Sequence, residues 1–72
     1  MSNLIYTKKY KLVIQKLKKL RISLGLTQLH VASKLGKPQS YISKIELGER
    51  RLDITELEQI SKIYKTKVTH FL

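Results

Sequence analysis

The segment from Thr27 to Gly48, TQLHVASKLGKPQSYISKIELG, leaves this chain little choice of fold. Leu29, Val31, Ala32 and Leu35 supply an apolar face at helical spacing, and the Thr27 hydroxyl stands where an N-cap oxygen is wanted. Gly36 follows at once, at the position where a residue with positive φ closes a helix. Lys37 and Pro38 open a second segment, and proline suits a first turn because its missing N–H has no intrahelical partner there. Ile42 and Ile45 mark the inward face of this second helix, and Gly48 is placed to end it. So short a connection excludes an antiparallel pair, so the two helices must cross.

The flanks are built to cover that pair. From Thr7, a candidate N-cap, to Leu24 the apolar residues Tyr10, Val13, Ile14, Leu17, Leu20 and Leu24 recur at steps of three and four, a helical stripe that Gly25 closes. Lys8, Lys11, Lys18 and Lys19 fall largely off it. Beyond Gly48, the polar loop Glu49-Arg50-Arg51 leads to Asp53 and Glu56 at capping-box spacing, with Leu52 and Leu57 placed for a hydrophobic staple. Leu57, Ile60, Ile63 and Tyr64 form the next inward stripe. Thr66 and Lys67 break the pattern, and Val68 to Leu72 reads as a last short helix. Residues 1–6, MSNLIY, carry no clear period and read as a loose lead-in. The expectation is a single all-α domain over residues 1–72. It is a compact five-helix bundle in which helices two and three are the crossing pair and helices one and four clamp its back.

Charge points to the kind of partner. Lys and Arg number 15 against 5 Asp and Glu, a net charge of +10, and all five acids lie between Glu46 and Glu58. An acid-free stretch over residues 1–45 favours a polyanion. An AT-rich genome also yields lysine-rich proteins, and a basic amphipathic first helix also suits a membrane surface, but here the stripe is followed by partners able to bury it. There is no cysteine, hence no disulfide or thiolate metal site. His30 and His70 stand far apart with no carboxylate pair beside them, and the three glycines are separate helix punctuation. Neither catalysis nor a cofactor or metal is expected. No apolar run approaches the ~20 residues that span a bilayer, and no secretory core is apparent, so a cytoplasmic location is expected.

Counting from Gln28, the fifth residue is the small Ala32, the ninth is Gly36, and the fifteenth and eighteenth are Ile42 and Ile45. With LRISLGLTQ before the motif, QSYISKIELGERR through its second helix and DITELEQISKIYK after it, the chain resembles the phage-repressor/Cro type of helix-turn-helix regulator from about Leu17 through Leu72. It departs at Lys37, where the family usually has an apolar residue, and at Pro38, where a Ser or Thr cap is common.

The resemblance implies a regulator of transcription that binds double-stranded DNA as a homodimer, encoded by a bacterium or phage. The second helix of the motif would lie in the major groove, with Gln39, Ser40, Ser43 and Lys44 facing base edges. Gln28, Lys37, Tyr41 and Arg50 would hold phosphates, Tyr41 having half-buried packing as its alternative. Arg21 and Glu46 would form an ion pair within the domain that orients the recognition helix. Val68, Phe71 and Leu72, with part of the fourth helix, are expected at the dimer interface, with cover of the monomer's own core as the alternative. Similar small proteins include repressors, controllers of restriction-modification operons and antitoxins, so a toxin or other protein partner is the alternative occupant of the same surface.

Overall fold

In the computed structural model, which describes residues 7–72, the chain forms four α-helices: α1 (Lys8–Ser23), α2 (Gln28–Lys34), α3 (Gln39–Glu46) and α4 (Ile54–Ile63). The expected lead-in, residues 1–6, lies outside the described residues. Side-chain caps set three of the four starts. The Thr7 and Thr27 hydroxyls accept from the N–H groups of Tyr10 and His30. Asp53 accepts from the Glu56 N–H while the Glu56 carboxylate accepts from the Asp53 N–H, a complete capping box. Pro38 precedes α3 as its N-cap and supplies no side-chain bond.

The helix ends share one device. At the end of α2, Gly36 has φ 69°. The Lys37 N–H then turns back to the Ala32 carbonyl at 2.9 Å and the Gly36 N–H to that of Ser33 at 3.1 Å. These two bonds satisfy carbonyls that a helix end otherwise leaves open. The same pair of bonds closes α4, from Thr66 to Ser61 and from Lys65 to Lys62, but with Lys65 in the left-handed position at φ 56°.

The expected fifth α-helix is instead one 3-10 turn, Val68–His70. Lys65 has already reversed the chain and Lys67 is extended, so too few residues remain to nucleate an α-helix. Bonds from His70 to Lys67 and from Phe71 to Val68 hold it. Phe71, 1% exposed, is thereby folded into the core.

That core comprises Val13, Ile14 and Leu17 of α1, Val31 and Ala32 of α2, Tyr41, Ile42 and Ile45 of α3, Leu57 and Ile60 of α4, then Tyr64 and Phe71. Val31 and Ala32 are fully buried, and the absence of a larger side chain at 32 lets α2 and α3 approach. Leu29 corrects the sequence reading: it is 58% exposed. At 100° per residue it sits roughly a third of a turn off the face centred on Val31, Ala32 and Leu35. Leu24 is likewise exposed, because α1 has ended at Ser23 and the chain is turning away.

Candidate nucleic-acid interface

Two carboxylates organise the surface around α3. The first is Glu46, at the last residue of that helix. Its Oε2 accepts from Arg21 Nε at 2.7 Å and its Oε1 from Arg21 Nη2 at 2.9 Å, a two-pronged pair between α1 and α3. The third guanidinium nitrogen, Nη1, donates to the Leu26 carbonyl at 2.8 Å. The two side chains are only 10% and 4% exposed. The hydrogen bonds to Glu46 hold the Arg21 guanidinium above its ordinary pKa, outweighing the opposite effect of burial.

Glu46 reaches further. Its Oε1 also accepts from Gln28 Nε2 at 3.0 Å, and Gln28 Oε1 in turn accepts from Gln39 Nε2 at 3.4 Å. The chain Arg21–Glu46–Gln28–Gln39 thus leads from a buried ion pair to an exposed amide at the start of α3. Gln39, Ser40 and Lys44 are exposed and Ser43 half-buried, all turned away from the buried Tyr41, Ile42 and Ile45.

The second carboxylate is Glu56, in the first turn of α4. Besides closing the capping box, it accepts from the Tyr41 hydroxyl at 2.7 Å and pairs with Arg50 at 3.0 Å. Burial would raise its pKa, but the Asp53 N–H, Tyr41 and Arg50 together hold it below its ordinary value. Burial first, then the bond to Glu56, pushes the Tyr41 phenol up to about 12. Tyr41 therefore remains a donor at any physiological pH. The Arg50 guanidinium lies over its ring at 4.5 Å and Lys37 Nζ at 5.5 Å. Tyr41 is thus a packing residue whose hydroxyl is engaged inside the protein. Lys37 and Arg50 remain at the surface around it, the Arg50 side chain 38% exposed.

The helix-turn-helix family model matches residues 17–71. The chain belongs to that family. Among solved structures, an XRE-family like protein from Pseudomonas syringae pv. tomato str. DC3000 shares 34% identity and superposes with a TM-score of 0.85, covering 94% of this chain and 83% of that one. No curated protein matches. The helix-turn-helix family, in this XRE and Cro branch, is one of DNA-binding transcription regulators and is generally non-enzymatic. No helix among the described residues is long and apolar enough to cross a membrane.

In this helix-turn-helix protein the remaining expected site residues are scattered. Phe71 is sealed in the monomer's own core, which removes it from any surface offered to a second copy. Val68 is half-buried and Leu72 is 59% exposed. Sequence reasoning missed Tyr10, whose hydroxyl accepts from the Leu52 N–H at 2.8 Å and so ties the start of α1 to the loop carrying Arg50. It also missed the Glu56 cluster. The capping-box spacing was the one signal available, and it said nothing of Tyr41.

Proposed function

We propose that this protein is a sequence-specific, double-stranded DNA-binding transcriptional regulator that acts as a dimer on a near-palindromic operator. The observation that carries this reading is the outward row Gln39, Ser40, Ser43 and Lys44 on a helix anchored from behind by the Arg21–Glu46 pair. Gln39 suits an adenine edge and Lys44 a guanine edge. Gln28, Lys37 and Arg50 flank the row as phosphate contacts. Val68 and Leu72, with part of α4, form the two-fold contact. Recognition helices in such a dimer stand about 34 Å apart, matching half-sites one helical turn apart.

Binding-site selection from random duplexes tests the reading and should return a near-palindrome. On that site Gln39→Ala should cost about 1–3 kcal/mol while leaving affinity for scrambled duplex almost unchanged, since no charge is lost. Equal losses on both duplexes, or none on either, would reject Gln39 as a base reader. A monomer at high micromolar concentration, both free and on DNA, would reject the dimer.

A further inference from the structure

Between α2 and the end of α4 lies a cavity of about 480 Å3, lined by Leu26, His30, Lys34, Lys62, Ile63 and Lys65. We propose that this cavity binds a small organic polyphosphate, a molecule of nucleotide size with two or more anionic groups and a partly apolar body. Leu26 and Ile63 are half-buried and packed against the core, so they give the cavity an apolar floor. His30, Lys34, Lys62 and Lys65 are exposed and form a cationic rim. No carboxylate lines the cavity. Both ion pairs among the described residues are made by arginine. The three lysines therefore meet at one cavity with no counter-charge from the described fold.

Two of these lysines have an ordinary reason for their place. Lys34 and Lys62 stand in the last turns of their helices, where a cation complements the negative end of the helix dipole. That reason does not extend to Lys65. Its φ of 56° puts it in the left-handed position that follows α4, and the same position after α1, α2 and α3 is held by Gly25, Gly36 and Gly48. A side chain there costs conformational energy that glycine avoids. What the chain gains with it is a third cation on the cavity. Nor does the dipole account for His30, which lies in the first turn of α2. Like charges gathered on one cavity repel until an anion joins them. The volume falls within the range of small-molecule sites, roughly 300–1,000 Å3. Lysine meets a phosphate as a point charge with three donors, and the aliphatic floor suits the rest of such a molecule. At 100° per residue, His30 and Lys34 lie roughly a third to a half of a turn round α2 from Gln28. A ligand there leaves the row proposed to meet DNA uncovered, and its binding does not depend on that row.

Calorimetric titration of the full chain with adenosine diphosphate, inorganic pyrophosphate and adenosine tests the site. The diphosphate nucleotide should bind most tightly, pyrophosphate more weakly and adenosine not measurably. Lys62→Gln and Lys65→Gln should each weaken the nucleotide about 10-fold or more, the loss of one charge-assisted contact. Lys65→Gly separates binding from structure. It should weaken the nucleotide as much while leaving Tm unchanged or higher, because glycine relieves the left-handed backbone. The control is Lys11→Gln with Lys18→Gln, two exposed lysines of α1 outside the cavity. It removes two charges and should leave nucleotide affinity nearly unchanged. Excess duplex DNA should not displace the nucleotide. Wild type that binds no nucleotide, a Lys65→Gly protein that binds it as wild type does, or an equal loss in the α1 control would each overturn the site. Pyrophosphate binding as tightly as the nucleotide would overturn the apolar half of the proposal. Displacement by duplex would assign the cavity to a DNA backbone and overturn a small-molecule site.

Discussion

Two arginine–glutamate pairs stand among the described residues, and they are built for different work. Arg21 and Glu46 lie between α1 and α3 with side chains 10% and 4% exposed, and every nitrogen of the guanidinium has a partner. Arg50 and Glu56 lie at the rim with side chains 38% and 18% exposed. Chemistry is the same in both; shielding is not. A shielded pair fixes geometry, because removing one member leaves the other stranded away from water. A rim pair is screened by solvent and is worth little by itself, so its cation remains available to another anion. The inner pair accordingly stands behind the row proposed to read bases, and the outer pair beside the path of a phosphate backbone.

The largest effect should follow from breaking the inner pair. Glu46→Ala should lower stability by about 3 kcal/mol, because the Arg21 guanidinium would stay buried without its counter-charge. For a domain of this size that is a fall in Tm of roughly 12–24 °C. Replacing both members with apolar residues, Arg21→Met with Glu46→Leu, should recover much of the loss. Wild-type melting of Glu46→Ala would put the two pairs on the same footing and dissolve the comparison.

Glu56→Ala should cost less, about 1–2 kcal/mol, and mostly for reasons other than charge. It removes half of a capping box, and it leaves the buried Tyr41 hydroxyl without its acceptor. A loss confined to the ion pair would instead be reproduced by Arg50→Ala. Acid should show the same site. Glu56 is held below its ordinary pKa, so its contribution is complete above the unfolded value of about 4.5 and is lost as pH falls through the lower folded value. Wild-type Tm should therefore fall more steeply than that of Glu56→Gln as pH drops below 4.5. Parallel curves for the two proteins would contradict the depressed carboxyl.

What was legible in the sequence was local. Thr7, Thr27 and the Asp53–Glu56 spacing announced three helix starts, and Gly25, Gly36 and Gly48 announced three ends, because caps act within one turn. The end of α4 gave no such sign, since Lys65 occupies the left-handed position that glycine fills elsewhere. The last five residues then read as helix where only a 3-10 turn fits. Leu29 is apolar but lies off the buried face of α2, because its angle on the helix, not its residue type, decides its burial. The DNA-facing row was named through resemblance at matching positions, not by any pattern of its own. The contacts that tie the site together join residues 25, 18, 15 and 11 positions apart. Such pairings depend on how helices cross, so only Arg21–Glu46 was named beforehand, and that through resemblance and not from any window of sequence.

The smallest expected effect is the one that best sharpens the contrast between the pairs. Arg50→Ala should change stability by less than ~1 kcal/mol, since its partner is at the rim and Glu56 retains the Tyr41 hydroxyl and the Asp53 N–H. On DNA the same substitution should weaken cognate and scrambled duplexes alike and flatten the dependence of log K on log[salt] by about 1, the signature of one lost phosphate contact. The wild-type slope itself should be near −5 if roughly 6 phosphates are neutralised per dimer. For Arg50 to contribute, a phosphate must compete with Glu56 for the guanidinium. Glu56→Gln should then release Arg50 and strengthen binding to every sequence slightly, with the adenine preference at the Gln39 position unchanged. An unaltered salt slope in Arg50→Ala would mean that Arg50 stays with Glu56 on DNA. The outer pair would then be structural, as the inner one is, and Lys37 would be left as the cation beside Tyr41 able to meet the backbone.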